Sequence, residues 1–255
     1  MTILGIGEAG TALARDLLAA GAEVRAWDPD PERHLDGAAA ARSAGEAAVG
    51  SDVVLSVNAA AVALGAARDT VPALAPGRLF ADLNSASPRL KAQVAAVVET
   101  AGARFADVAL LAPVPAHGLR TPALVSGGGA AAFAGLFRPL GMPVEVVEGG
   151  PGAAATRKLV RSVFMKGLAA AAIESMVAAE RVGCGEWLRA EIARVLDGPG
   201  EPLLTRLLEG SRRHAVRRID EMQAASLLLS ELGVEPRVAR SAVGWLEELA
   251  GERTR

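Results

Sequence analysis

Tyrosine is missing from this 255-residue chain, and aromatic side chains of any kind make up only 3% of it. Tyrosine acid catalysis is thereby excluded, and too few rings remain to build a stacking platform for nucleic-acid bases. Cysteine occurs once, at Cys184, which excludes an internal disulfide and a thiolate zinc cluster and fits a reducing, cytoplasmic setting. The three histidines are scattered, with no H-x-x-x-H or C-x-x-C spacing, so no metal site is expected. Without a G-x-S-x-G elbow a serine hydrolase has no support either. A formal charge of −2 and a pI near 6.0 provide no global attraction for nucleic acid or an anionic membrane. No charged and apolar leader precedes the first strand-like run at Thr2, so secretion by that route is not expected. Arg, Asp, Glu or Gly interrupts each long apolar run before it reaches a bilayer-spanning length, and no membrane association is expected.

What is present is aliphatic mass. Hydrophobic residues amount to 51% of the chain, enough for a sizeable core in one large domain or two moderate ones. Over the first 150 residues short apolar runs alternate with alanine-rich helical stretches. The segments 2–6, 23–27, 52–57, 78–83, 104–111, 123–127 and 143–147 read as strands. This alternation predicts an α/β fold of Rossmann type, a doubly wound, mostly parallel sheet with helices on both faces. Ser43 with Glu46 makes a capping-box pattern, and Ser87 stands as an N-cap before Pro88 at the first helical position. After "EGGPG" (148–152) the β-like alternation stops, and helices are expected over about 153–181, 185–196, 203–232 and 236–250. The expected division is therefore a Rossmann domain at 1–150 and an all-helical domain at 151–255.

The string "GIGEAG" (5–10) follows a predicted strand and opens a helical run, the context in which G-x-G-x-x-G binds a dinucleotide. Gly5 permits the tight turn, Gly7 the close approach of pyrophosphate, and Gly10 the packing of helix on strand. Gly5, Ile6, Gly7, Glu8, Ala9 and Gly10 are thus candidate cofactor residues, with the pyrophosphate at a helix N-terminus. Asp28 ends the second strand, where a carboxylate accepts hydrogen bonds from the adenine ribose and repels a 2′-phosphate. That favours NAD over NADP. Two facts keep NADP open: Arg25 and Arg33 lie near in sequence, and Asp28 also starts a "DPDPE" turn. FAD fits less well, because so short a chain has no obvious second flavin-binding region. Asn58, after the third strand, either lines the cofactor cleft or is only a turn residue.

The helix opened by "PGAAATRKLVRSVFMKG" (151–167) carries Lys158, Arg161, Ser162 and Lys166 on one side of the cylinder, given about 3.6 residues per turn. Such a stripe is either a solvated face or the wall of a site. Hydride transfer at a carbinol carbon needs a partner for the hydroxyl proton, and a lysine with cationic neighbours such as Arg157 and Arg161 is able to serve.

In chain order, "GIGEAG", "DLNSASP" (82–88), "FADVALLAPVPAHG" (105–118), "LVSGG" (124–128) and "PGAAATRKLVRS" (151–162) resemble the 6-phosphogluconate dehydrogenase-like superfamily. This superfamily includes β-hydroxyacid dehydrogenases and imine reductases, and the resemblance covers nearly the whole chain. It implies that Lys158 takes the place of the catalytic acid/base lysine of the hydroxyacid branch. It also implies that Asn84 and Ser85 lie beside nicotinamide and substrate, and that the helical domains form a homodimer. Two departures stand out. "LAP" (111–113) replaces the usual Ser-Gly-Gly, and Ser162 replaces an asparagine one turn after the lysine. The "PVPAHG" segment looks more like the imine-reductase branch, which generally carries Asp or Tyr in place of the lysine, so the chain resembles a subgroup between the two.

His117, in a proline-rich loop after the fifth strand, is a candidate to orient substrate or shuttle a proton. Arg213 and Arg217, four apart in "GSRRHAVRRIDEMQ" (210–223), are read as sharing a helix face that either grips an anion or is solvated. The resemblance adds His214 to the substrate candidates. Exposed aliphatic faces on the helical domain point to a second subunit. The resulting expectation is an NAD(P)-dependent oxidoreductase acting on a small, anionic β-hydroxy acid or keto substrate, with Lys158 as general acid/base and Ser162 and His117 orienting the substrate. Reduction of a C=N bond is the first alternative, and a non-catalytic dinucleotide sensor is the second.

Overall fold

A computed structural model describes residues 1–252. Its sheet has eight strands in the order β3-β2-β1-β4-β5-β6-β7-β8. They are β1 (Thr2–Leu4), β2 (Arg25–Trp27), β3 (Ala39–Ala40), β4 (Val53–Ser56), β5 (Leu79–Asp82), β6 (Arg104–Leu110), β7 (Ala123–Ser126) and β8 (Val144–Val146). Every pairing is parallel except β6 with β7, so the expected doubly wound sheet is present. The order reverses between β1 and β4, which opens a crevice at their C-terminal ends.

Six helices accompany the sheet: α1 (Glu8–Ala19), α2 (Ala44–Ala48), α3 (Ala60–Thr70), α4 (Pro88–Glu99), α5 (Val114–His117) and α6 (Ala130–Phe137). Successive strand residues alternate between the two faces and feed two cores. Ile3, Leu55 and Val108 pack with Leu13 and Leu17 of α1 and Phe133 and Phe137 of α6. Leu4, Val54 and Phe80 pack with Ala63 and Ala67 of α3 and Val94 and Val98 of α4. Fully burying each Leu, Val or Phe side chain contributes about 1.5–3 kcal/mol. Ser43 accepts the amide of Glu46 at 3.1 Å and Ser87 that of Leu90 at 3.2 Å. The Glu46 carboxylate turns to the amide and guanidinium of Arg42 instead of closing the box onto Ser43. The two-residue β3 carries no recognisable strand signal in the sequence.

The helices beyond residue 150 are α7 (Ala153–Arg181), α8 (Gly185–Leu196), α9 (Gly200–Arg213), α10 (Ala215–Glu231) and α11 (Arg237–Glu252). The chain divides into two compact units, one ending at Arg161 and one beginning at Ser162, so the division falls inside α7, whereas the texture of the sequence changes near 150. In the second unit Ala178 of α7 packs with Leu229 and Val234, and the Glu174 carboxylate accepts the Val238 and Ala239 amides at 2.8 and 3.0 Å, which caps α11.

Two expectations are corrected. The single helix over 203–232 is broken at His214, whose φ of −118° and ψ of 28° leave the helical region. The break follows from Gly210, where the missing side chain makes room for the Arg218 guanidinium, and Arg218 donates to Ser211 Oγ at 2.6 Å. The second concerns α7, which is long and apolar enough by length and composition to cross a bilayer, with a mean hydropathy of 1.4 over its most apolar stretch. Lys166 and Glu174 stand among alanines and valines and interrupt the run without lowering its average enough.

Candidate active site

The glycines of residues 5–10 serve different masters. Gly5 turns the chain at φ +104°, and a Cβ there would lie 2.4 Å from the Val57 carbonyl oxygen. A Cβ on Gly10 would lie 1.9 Å from the Gly5 carbonyl oxygen, so only glycine lets α1 pack on this turn. At Gly7 the fold imposes no such need, because the nearest atom to an added Cβ is Arg33 Nη1 at 3.5 Å. Gly7 is the N-cap of α1 and supplies no side-chain cap, which leaves the first amides of the helix to an external anion. The Ile6 amide donates to Asp28 Oδ2 at 2.6 Å, and Asp28 Oδ1 accepts the Asp30 amide at 3.0 Å. Asp28 therefore both starts its own turn and braces the glycine loop. Arg33 lies 3.7 Å from Asp28 and 3.4 Å from Asp30.

Beside this loop, a cavity of about 350 Å³ is lined by Ala9, Asn58, Asn84, Ser85, Leu110 and Lys158, among others. The polar residues arrive from the end of β4 (Asn58), the end of β5 (Asn84 and Ser85) and α7 (Lys158). The Lys158 Nζ donates to Ser85 Oγ at 2.7 Å. Asn84 Oδ1 accepts the Asn58 amide at 2.6 Å and its Nδ2 donates to Ser56 Oγ at 3.1 Å, which ties the ends of β4 and β5 together. Asn58 Oδ1 is buried and accepts no hydrogen bond. An orphaned acceptor, an uncapped helix start and a glycine that the fold does not require together fit a bound dinucleotide.

Beneath the cavity runs a buried polar row that sequence reading missed. Ser56, Asp82, Asp107 and Ser126 are register partners on four adjacent strands, and all are fully buried. Lys91 of α4, only 1% exposed, lies 3.4 Å from Asp82 Oδ2 and 3.2 Å from Asp107 Oδ1 and donates to the Asp82 carbonyl at 2.7 Å. Asp107 Oδ2 accepts the amides of Gly152 and Ala155 at 3.0 Å each, and Ser126 Oγ accepts that of Ala154 at 3.0 Å, so the row caps α7. Burial pushes the Asp82 carboxyl above the usual carboxylate range, a shift that the Lys91 ammonium opposes in part. Removing one partner of such a buried pair costs about 3–5 kcal/mol. One sequence signal pointed here: Lys91 shares the apolar stripe of Val94, Ala95 and Val98.

The other candidates are placed as follows. His117 is exposed at the end of α5 and does not line the cavity. Arg161 donates to the Leu111 carbonyl at 3.2 Å, beyond the end of β6. Ser162 lies one turn beyond Lys158 on α7 and belongs to the second unit. The expected shared face of Arg213 and Arg217 is lost, because the break at His214 puts Arg213 on α9 and Arg217 on α10. Arg217 pairs with Glu221 at 2.8 Å, both exposed. No cluster of three or more His, Cys, Asp or Glu able to hold a metal occurs among the described residues.

Residues 1–137 match the NAD binding domain of 6-phosphogluconate dehydrogenase. The chain belongs to this family. It is an NAD(P)-dependent oxidoreductase. Residues 179–249 of the oxidoreductase match a domain of unknown function, DUF1932. Among solved structures it resembles the conserved protein MTH1747, of unknown function and with structural similarity to 3-hydroxyacid dehydrogenases, at 25% identity and a TM-score of 0.61 over 99% of this chain and 97% of that one. It shares its fold with an imine reductase from Streptomyces aurantiacus, at 20% identity and a TM-score of 0.83 over 97% and 93% of the two chains. A reductive aminase from Aspergillus terreus, in complex with NADPH and ethyl levulinate, matches at 21% identity and a TM-score of 0.79 over 98% and 93%. No curated protein matches the oxidoreductase.

The glycines give a paired prediction. Gly7→Ala leaves urea stability within about 1 kcal/mol of the parent but weakens NAD(P)H binding about tenfold or more by fluorescence titration. Gly10→Ala costs about 1–3 kcal/mol of stability through overpacking. Equal destabilisation by both would contradict the separate roles.

Proposed function

We propose that this oxidoreductase transfers hydride between nicotinamide and a small, anionic β-hydroxy acid or keto substrate, with Lys158 as the general acid/base. The observation that carries the reading is the 2.7 Å contact of Lys158 Nζ with Ser85 Oγ, in a cavity that Ala9 of the glycine loop also lines. Bound NAD(P) supplies or accepts the hydride. Ser85 orients the Lys158 amine, which takes the proton from the substrate hydroxyl or returns it to the carbonyl oxygen. Asn58 and Asn84 hold the wall opposite the glycine loop, and Gly5, Ile6, Gly7, Glu8, Ala9 and Gly10 cradle the pyrophosphate. Asp28 would take the adenine ribose hydroxyls. Arg33, the arginine beside the glycine loop, is engaged by Asp28 and Asp30, which supports a preference for NAD over a cofactor with a 2′-phosphate. Arg161 is the favoured holder of an anionic end because it belongs to the same unit as Lys158. Ser162, His117, Arg213, His214 and Arg217 stay secondary candidates for orienting the substrate.

The same lysine is able to protonate a nitrogen, and the shared fold with an imine reductase and a reductive aminase supports C=N reduction as the second reading. The apolar side chains exposed along the helical elements, Val163 at 76% and Trp245 at 68% among them, support a homodimer through the helical domain.

Nicotinamide absorbance, followed with NAD(H) and NADP(H) against β-hydroxy acids, their keto forms and cyclic imines, tests the reading. Turnover of hydroxy or keto acids is expected, with NAD preferred, and Lys158→Ala should lower kcat by about 10²–10⁴-fold while cofactor still binds. Turnover of imines alone would move the protein to the second reading, and cofactor binding without turnover of any class would favour a sensor. Light scattering should return the mass of a dimer; a monomer at micromolar concentration would contradict the assembly.

A further inference from the structure

Of the 27 Lys and Arg residues only three are lysine, at 91, 158 and 166. A chain that uses arginine almost everywhere thus places two of its three lysines at this cleft, one lining it and one buried beneath it. We propose that Lys91 is the positioning residue of the site, its ammonium fixing the corner that carries Ser85 relative to the helix turn that carries Lys158. The inference rests on the reading of Lys158 as the proton-transfer group.

Two connections leave Lys91 and meet again. Through the Asp82 carbonyl and carboxylate it holds the end of β5, and Asp82 Oδ1 accepts the Asn84 amide at 2.9 Å, one residue before Ser85. Through Asp107 it holds the start of α7, since Asp107 Oδ2 takes the amides of Gly152 and Ala155, and Lys158 follows Ala155 by one turn. The Lys158–Ser85 hydrogen bond closes the ring. The fit is close as well, because Gly152, at φ +100°, would place a Cβ 2.8 Å from the carbonyl oxygen of Pro88, the first residue of α4. Lysine suits the position for a physical reason. Three oxygens converge on one nitrogen, which a compact ammonium with three donors serves and a planar guanidinium does not. Among the described residues, Asp82 Oδ2 and Asp107 Oδ1 have no partner other than this ammonium, so Lys91 is the group that keeps the two carboxyls together. Without it they repel, and the ring opens at its weakest link, the exposed contact of Lys158 with Ser85.

The test compares Lys91→Met with the triple variant Lys91→Met/Asp82→Asn/Asp107→Asn, which removes all the buried charge and keeps a folded chain available if the single variant fails to fold. In protein labelled with 13C-lysine, Lys166→Arg leaves Lys158 as the one lysine signal besides that of buried Lys91, and its titration midpoint is read with and without Ser85→Ala. Ser85→Ala is expected to move the midpoint when Lys91 is present and to have no further effect when Lys91 is replaced. The same shift in both backgrounds would overturn the proposal. With a substrate in hand, the Lys91 variants should lose about 100-fold in kcat with the cofactor Kd changed less than about threefold; an unchanged kcat would mean that Lys91 serves the fold alone. If the parent protein turns over no substrate, the functional reading fails while the Ser85→Ala comparison still decides the positioning.

Discussion

Two carboxyl groups and one ammonium, all out of reach of water, meet at the C-terminal edge of the sheet. Asp82 and Asp107 both face the single ammonium of Lys91, at 3.4 and 3.2 Å. The start of α7 joins them, since its amides point at Asp107 and its dipole contributes roughly half a positive charge. The entry of a 29-residue helix is therefore part of the electrostatic balance of the sheet. That balance dictates where α7 begins, and with it where Lys158 stands. Burial raises the Asp82 carboxyl above the usual carboxylate range, and the Lys91 ammonium opposes that shift.

The glycine loop meets a different constraint, one of space. Gly5 and Gly10 are required by contacts of the chain with itself, whereas the freedom at Gly7 has no use in the folded protein alone. A fold that keeps a glycine where a side chain would fit, beside a helix start without a side-chain cap, is shaped for a ligand that brings negative charge close to the backbone. The family assignment and the loop geometry lead to the same cofactor by separate routes. The buried row holds the strand end that carries Ser85 and the helix start that leads to Lys158, so the cofactor loop and the lysine are each held by their own device.

Much of this was legible in the sequence because it is local. Alternating apolar runs located seven of the strands, serine N-caps located α2 and α4, and "GCG" and "DGPG" set the ends of α7 and α8. The glycine motif needed only its strand and helix context to be read. What escaped was tertiary. His214 breaks a helical pattern because Arg218 folds back over Gly210, a contact that no propensity encodes. Lys91, Asp82 and Asp107 lie in three separate elements, and only the register that sets Asp82 beside Asp107 brings them together. A lysine on an apolar stripe was the one local trace of that row. The Lys158–Ser85 contact spans 73 residues and came within reach through the family resemblance rather than through spacing.

Native-state hydrogen exchange at the amides of Gly152, Ala154 and Ala155 tests the organising role of Lys91 most directly, since these donors end on Asp107 and Ser126. Strong protection is expected in the parent protein, and in Lys91→Met a loss of protection at these three amides well beyond that of the β1 and β4 core. Protection that stays unchanged, or that falls equally across the whole sheet, would contradict it.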